Sequence, residues 1–226
     1  MKTVEAERRE KLNKEELPKI IVELLERNYR LGEKMEELLN YHNESYMHSQ
    51  RVAIVCTELL KKDDMNLNES DQKLLVESAY VHDIGKLKTP LELLNNTDEL
   101  TEEERKEMEE HAYHSYTILN DLGEEALAEI VLNHHKFQPH PYPSDDFEAE
   151  HGIVEKKEKI SKNYLIIEEA LAFADKVDAM LSERSYQKPL SEKEAEKILK
   201  RINSGLDNKI QEKVINIMIN LRKTIP

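Results

Sequence analysis

Helical spacing of apolar residues runs through nearly the whole of this 226-residue chain. Side chains three or four positions apart share one side of a helix. The pattern predicts helices over 15–40, 43–62, 70–82, 101–122, 124–135, 165–181, 191–202 and 207–223, with a short one from 90 to 94. No segment alternates convincingly as a strand would, and the five glycines are few beside abundant Glu, Lys and Leu. The sequence therefore predicts an all-α fold.

Local signals place several helix ends. Ser70 or Asp71 is expected to cap the third helix, because both side chains accept hydrogen bonds from free N–H groups. Gly85 is expected to end that helix. Thr101 and Glu104 have the spacing of a capping box, so a long helix is expected to begin there.

Charge and cysteine content limit the class of protein. The net charge of −14 argues against binding to duplex nucleic acid, which needs a basic surface. An anionic substrate is compatible with this charge if metal ions reverse the field inside a pocket. The single cysteine, Cys56, falls in a core register, so no intramolecular disulfide is expected and the compartment is predicted to be reducing. With a charged N-terminus and no apolar run of about 20 residues, we expect a cytoplasmic protein without a membrane partner.

Residue types that bind metals recur along the predicted helices. They are Glu44, His48, the pair His82 and Asp83, His111, the pair His134 and His135, and Asp175. Imidazoles and carboxylates without a thiolate suit iron, manganese or similar divalent ions. Adjacent helical residues point about 100° apart, so each adjacent pair suits two ions better than one. This set predicts a helical hydrolase with two or three metal ions.

Several segments resemble a known family, and they occur in that family's order. They are HDIGK (82–86), LTEEE (100–104) followed by His111, the pair His134 and His135, ADKVDAM (174–180) and SERSY (182–186). This pattern resembles the HD-domain phosphohydrolases, and most of all their HD-GYP branch, the cyclic di-GMP phosphodiesterases. The resemblance covers about residues 44–222. It implies an HD-type helical domain over 43–226, preceded by an N-terminal helical extension over 1–42.

The chain departs from the HD-GYP pattern after the histidine pair. Lys136 replaces a glutamate, and the following tract reads PHPYP (139–143), so Tyr142 and Pro143 survive while the glycines are lost. Without glycine, the main chain cannot approach a ligand as closely. The proline-punctuated, polar stretch 136–163 predicts a loop or lid.

The resemblance also implies site residues and a reaction. His48, His82, Asp83 and Asp175 would hold the basic pair of ions, with Asp83 bridging. His111, His134 and His135 would complete the second ion's sphere, and Glu44 would allow a third ion. A metal-bridging hydroxide would attack the phosphorus of a small phosphoester, most of all a cyclic dinucleotide. Asp83 and Lys86 are the predicted catalytic residues, and Lys86, Arg184 and Tyr142 the predicted substrate contacts.

Other interpretations stay open. Glu44 lies near a helix start, where a glutamate also serves as a partner of the helix dipole, and Arg184 could pair with local acids. A nucleotide phosphomonoesterase or a di-iron oxygenase could use the same scaffold and similar ligands. The lost glycines also fit a non-catalytic signalling module. The exact substrate, the metal and a homodimer are left open.

Overall fold

The computed structural model describes residues 17–61, 65–153, 162–181, 191, 193 and 206–224. Within these residues the chain forms helices and turns and no strand, which confirms the predicted all-α fold. In chain order the α-helices are α1 (Lys19–Arg27), α2 (Tyr29–Tyr41), α3 (Asn43–Leu60), α4 (Glu69–Val81), α5 (Leu91–Leu94), α6 (Glu102–Glu109), α7 (His111–Asp121), α8 (Glu125–Leu132), α9 (Asp145–Glu150), α10 (Lys162–Leu181) and α11 (Asn208–Thr224). A 3-10 helix (Ile84–Lys88) follows α4.

A polar break separates α1 from α2, where the sequence predicted one helix over 15–40. The Asn28 side chain accepts a hydrogen bond from the backbone N–H of Leu31 at 3.1 Å and so caps α2. Its amide group also donates to the Leu122 carbonyl at 3.2 Å and to Glu124 Oε1 at 2.9 Å. The prediction was wrong here because Asn28 bonds both to the next helix and to a distant turn.

A second break divides the predicted helix over 101–122. Thr101 and Glu104 form the predicted capping box at the start of α6. That helix ends at Glu109, and α7 begins at His111. His111 therefore lies in the first turn of a new helix, where its Nδ1 is 2.7 Å from the Met108 carbonyl oxygen.

The third predicted helix also ends differently. α4 is capped by Asn68, whose side chain accepts from the N–H of Asp71, rather than by Ser70 or Asp71. It ends at Val81, before Gly85. Gly85 lies inside the 3-10 helix, and its φ is outside the left-handed region. Its role is therefore not that of a helix cap.

The core is centred on α3 and α4. These two helices pack against each other, and α10 packs against both. Their inward side chains, such as Val52, Leu75 and Leu171, are fully buried. Cys56 is buried as predicted, and burial raises the pKa of its thiol to about 12. α7 packs against α8 and against the 3-10 helix, and α8 also packs against α4, so these elements meet around one polar interior.

Two predictions lie wholly or largely outside the described residues. These are the helix over 191–202, of which only residues 191 and 193 are described, and Arg184. Among the described helices none is both long enough and apolar enough to cross a bilayer.

Candidate metal centre

Seven of the predicted ligand residues converge in the polar interior. His48 comes from α3, His82 and Asp83 from the end of α4, His111 from the start of α7, His134 and His135 from the turn after α8, and Asp175 from α10. Their exposed fractions are 9% or less, except for the half-buried His135. Each side chain follows a helix end or sits on a core helix, so the packing of the bundle fixes its direction.

These side chains form three overlapping groups. Within each group, the ligand atoms lie within 4.8 Å of one another. The first group is His48, His82 and Asp175, the second is His82, Asp83 and His134, and the third is His111, His134 and His135. His82 belongs to the first and second groups, and His134 to the second and third. The groups therefore form one continuous row instead of three separate sites.

The two carboxylates connect the groups. Oδ2 of Asp83 lies 3.7 Å from His48 Nε2 and 3.6 Å from His82 Nε2, whereas its Oδ1 lies 3.4 Å from His111 Nε2. The two oxygens of Asp175 also face different ligands: Oδ1 is 2.9 Å from His48 Nε2, and Oδ2 is 4.0 Å from His135 Nδ1. Each carboxylate thus faces two groups, as a carboxylate shared by two cations must.

Backbone carbonyls fix the orientation of three imidazoles. Nδ1 of His82 is 2.9 Å from the Ala79 carbonyl oxygen, and Nδ1 of His111 is 2.7 Å from that of Met108. Nδ1 of His134 bonds in the same way to the carbonyl three residues earlier. A carbonyl only accepts, so Nδ1 carries the proton and Nε2 presents a lone pair to the interior. This arrangement is the usual support for a metal-ligating histidine.

The spacing of these lone pairs fits a metal ion. Nε2 of His82 lies 3.3 Å from Nε2 of His48, and Nε2 of His111 lies 3.4 Å from Nε2 of His134. In the second pair both Nδ1 atoms bond to carbonyls, so two Nε2 lone pairs face each other and repel unless a cation lies between them. Two nitrogens bound to one ion at about 2.1 Å, and about 105° apart, are separated by about 3.3 Å. The donor set and its spacing therefore suit divalent metal ions.

Burial favours the neutral form of four of these imidazoles, the form that binds a metal. It lowers the pKa of His111 and of His134 to about 4, and it also lowers the pKa values of His82 and His135. Burial opposes ionisation of Asp83, but Lys86 and the surrounding imidazoles outweigh it. They hold the pKa of that carboxyl well below its ordinary value. At neutral pH these four imidazoles thus offer neutral nitrogens, and Asp83 and Asp175 offer charged oxygens.

Lys86 lies beside the row of ligands, where the sequence predicted a phosphate contact. Its Nζ is 2.7 Å from Asp83 Oδ2, and its side chain is 14% exposed. The 3-10 helix that carries Lys86 is fixed to α7 by Ser115, which accepts from Gly85 N–H at 2.8 Å and donates to the His82 carbonyl at 2.7 Å. Gly85 is required there because a Cβ would lie 2.0 Å from the His111 carbonyl oxygen.

The altered tract after the histidine pair folds over one side of the centre. The Tyr142 ring lies 4.3 Å from that of His135 and 6.0 Å from that of His111, measured between ring centroids. Burial raises the pKa of the Tyr142 hydroxyl well above its ordinary value. Lys136, the replacement for the family's glutamate, pairs with Glu148 of α9 at 2.6 Å. An ion pair therefore anchors this part of the predicted loop.

One predicted metal ligand, Glu44, is not brought into the groups. Glu44 lies half-buried in the first turn of α3, outside all three groups, so its role as a ligand stays a prediction. Arg184 lies outside the described residues.

Two polar residues next to the centre were missed by the sequence analysis. Asp178 is fully buried, and its Oδ2 lies 2.5 Å from His48 Nδ1. Arg51 donates to both Asp178 oxygens, at 2.7 and 2.9 Å. The spacing to Asp175 was the available signal, since residues three apart share a helix face.

Comparisons with known proteins identify relatives of the chain. It is 39% identical over 93 residues to a 3'3'-cGAMP-specific phosphodiesterase 1 of Vibrio cholerae, covering 41% of this chain and 21% of that protein. It is 30% identical over 186 residues to a cyclic di-GMP phosphodiesterase of Thermotoga maritima, covering 80% of this chain and 46% of the relative. The chain spans less than half the length of the curated relatives it matches.

The fold has a counterpart among solved structures. The HD domain of the phosphodiesterase PgpH of L. monocytogenes, in complex with cyclic-di-AMP, superposes with a TM-score of 0.55 at 18% identity. The match covers 85% of this chain and 96% of that one. The model of the HD domain family matches residues 45–180, which contain seven of the eight predicted ligands, all except Glu44. The resemblance stated from the sequence is confirmed at this level: the chain belongs to the HD domain family.

Proposed function

We propose that this chain is a metal-dependent phosphodiesterase that hydrolyses a cyclic dinucleotide, cyclic di-GMP or a related molecule. The observation that carries the proposal is the row of three ligand groups. His82 and His134 are each shared by two groups, and the two oxygens of Asp83 and of Asp175 face different groups. Such a row would hold two or three cations close together, the arrangement used for in-line displacement at phosphorus. The thiol-free donor set favours iron or manganese.

The residues of the chain have distinct roles in this proposal. When bound, the ions would act as Lewis acids toward the phosphoryl oxygens and supply a water nucleophile at neutral pH. Asp83 and Asp175 hold the groups at a fixed separation, and the carbonyl-anchored imidazoles keep their lone pairs inward. Lys86 adds a positive charge beside Asp83, where it can neutralise a phosphoryl oxygen.

A small recess next to the centre marks the side from which we expect the rest of a substrate to approach. It is lined by His135, Phe137, Gln138, Phe173 and Lys176, among others. The half-buried Phe137 offers an aromatic surface for a nucleobase, whereas Phe173 is buried. The Gln138 amide and the Lys176 ammonium group offer donors for the edge of the base or for phosphate. The names of two relatives support a cyclic dinucleotide, since one is specific for 3'3'-cGAMP and the other hydrolyses cyclic di-GMP. A homodimer and a cytoplasmic location stay predictions.

A substrate panel tests the proposal. Purified protein, loaded anaerobically with Fe²⁺, Mn²⁺ or Zn²⁺, would be incubated with cyclic di-GMP, 3'3'-cGAMP, cyclic di-AMP, a linear dinucleotide and nucleoside monophosphates. We expect hydrolysis of at least one cyclic dinucleotide, with Fe²⁺ or Mn²⁺ better than Zn²⁺. A His48→Ala/His134→Ala double variant, purified identically, controls for contaminating enzymes.

Other outcomes would exclude the proposal. Release of phosphate from monophosphates alone would indicate a phosphomonoesterase on the same scaffold. Oxygen consumption without phosphoester cleavage by the iron-loaded protein would indicate an oxygenase. Full metal occupancy without turnover on any substrate would favour a non-catalytic signalling module.

A further inference from the structure

A buried polar triad lies behind the first ligand group. It consists of His48, Asp178 and Arg51. His48 Nδ1 is 2.5 Å from Asp178 Oδ2, and Arg51 binds the same carboxylate with Nε at 2.7 Å and Nη2 at 2.9 Å. The Asp178 side chain is 0% exposed and that of Arg51 is 20% exposed. The carboxylate therefore binds both an imidazole and a guanidinium fork.

This support differs from that of the other anchored imidazoles. His82, His111 and His134 each bond through Nδ1 to a backbone carbonyl, whereas His48 bonds to a carboxylate. A charge-assisted bond is shorter and about twice as strong as a neutral one. A carboxylate partner also makes the opposite nitrogen a better electron donor to a metal. His48 is thus the anchored imidazole whose donor strength depends on a charged side chain.

Arg51 determines which way this carboxylate faces. Its planar fork occupies both oxygens of Asp178, so the carboxylate cannot rotate without losing a charge-assisted bond. Oδ2 accepts from Arg51 and from His48 at the same time. Nδ1 of His48 therefore donates to Asp178, and this bond directs Nε2 to Asp175 Oδ1 at 2.9 Å and to His82 Nε2 at 3.3 Å.

We propose that Asp178 and Arg51 are positioning residues that set the metal affinity of the group His48, His82 and Asp175. The inference rests on the proposed metal centre. Asp178 acts by holding the tautomer and orientation of His48, and Arg51 acts only through Asp178. Neither residue belongs to any of the three ligand groups.

The test measures metal binding, with activity as a secondary readout. Mn²⁺ affinity of the full chain would be measured by titration against a competing chelator, with urea unfolding run in parallel. Asp178→Asn should weaken Mn²⁺ binding by about 10- to 100-fold, because one amide cannot accept from both His48 and Arg51 without turning its NH₂ toward a donor. Arg51→Met should weaken it by less than about 10-fold.

A matched control separates positioning from lost stability. Glu77 is also a buried carboxylate held by an arginine fork, since Arg27 donates to its two oxygens at 3.1 and 3.2 Å, and it lies outside the ligand groups. Glu77→Gln should lower stability as Asp178→Asn does but leave Mn²⁺ affinity within about twofold of wild type. If Asp178→Asn does not fold, Arg51→Lys replaces it, because lysine keeps the charge without the fork.

A double variant tests the order of action. Adding Arg51→Met to Asp178→Asn should cause no further loss of affinity, because Arg51 acts through the carboxylate. Additive losses of Mn²⁺ affinity would show that Arg51 does not act through Asp178. Wild-type affinity in Asp178→Asn, or an equal loss in Glu77→Gln, would overturn the positioning role while leaving the metal centre standing. A wild-type chain that binds no Mn²⁺ would instead refute the proposed metal centre itself.

Discussion

Replacing Gly85 with alanine should separate the two halves of the metal centre. A Cβ at this position would lie 2.0 Å from the His111 carbonyl oxygen and 2.4 Å from the Ser115 backbone nitrogen. Both are backbone atoms, so no side-chain rotation relieves the contact. To reach a normal separation of about 3.5 Å, α7 and the 3-10 helix would have to move apart by about 1.5 Å.

The energetic cost can be estimated from these contacts. Overpacking of a tight interior costs about 1–3 kcal/mol. The shift also weakens the two hydrogen bonds of Ser115, to Gly85 N–H and to the His82 carbonyl, at about 1 kcal/mol each. We therefore expect Gly85→Ala to lower the free energy of unfolding by about 3–5 kcal/mol. His111 would move away from Asp83 by more than the roughly 0.5 Å that a preorganised site tolerates.

Urea unfolding and metal analysis check this prediction. Gly85→Ala should lose stability and bind fewer ions than wild type. Gly32→Ala is the control, because Gly32 lies inside α2 and its added Cβ would come only within 3.9 Å of Leu25. That substitution should raise stability by about 0.5–1 kcal/mol, since alanine is the better helix former. A Gly85→Ala protein with wild-type stability and metal content would refute the reasoning.

The remaining predictions concern the charged residues. Asp83→Asn should keep the helical content seen by circular dichroism but abolish hydrolysis, since an amide neutralises the cations poorly; near-normal turnover with full metal occupancy would contradict this. Lys86→Ala should raise KM or lower kcat in steady-state assays while metal content stays at the wild-type level. Glu44→Ala should remove about one ion per chain by elemental analysis if Glu44 holds a third ion, and an unchanged count would assign it to the helix start. The metal-free protein should lose stability to urea as the pH falls from about 6.5 to about 4. Burial lowers the folded-state pKa values of His111 and His134 to about 4, so the unfolded chain binds protons at a higher pH than the folded chain does. A free energy of unfolding that stays constant over that pH range would contradict this explanation.

The existence of the helices could be predicted because the 3.6-residue period is a local property of the sequence. Their interruptions could not. The apolar period continues through Asn28, yet this side chain also bonds to Leu122 and Glu124, about 95 residues later. A glycine at position 85 is typical of a helix end, yet the structure requires glycine there because α7 approaches closely. Both errors arose where contacts between distant segments replace the local preference.

The ligand types were predictable because the motif names them, but their supporting contacts were not. Lys86 was predicted as a phosphate contact, and the structure shows it paired with Asp83 at 2.7 Å. Asp178 belongs to the quoted segment ADKVDAM, yet only the packing of α10 on α3 brings it to His48 and Arg51. A residue pair separated by more than 120 positions leaves no periodic trace in one sequence.

The position of Asp175 shows how contacts between distant residues, which one sequence does not reveal, affect the proposed chemistry. The sequence singled out Asp83 as the bridging carboxylate, because it directly follows His82. The oxygens of Asp175 are divided as well, between His48 on one side and His135 on the other. The two carboxylates arrive on different elements, one after α4 and one within α10. The separation of the ligand groups therefore depends on how α10 packs against α3 and α4, and a core substitution at that contact should alter metal spacing without touching any ligand.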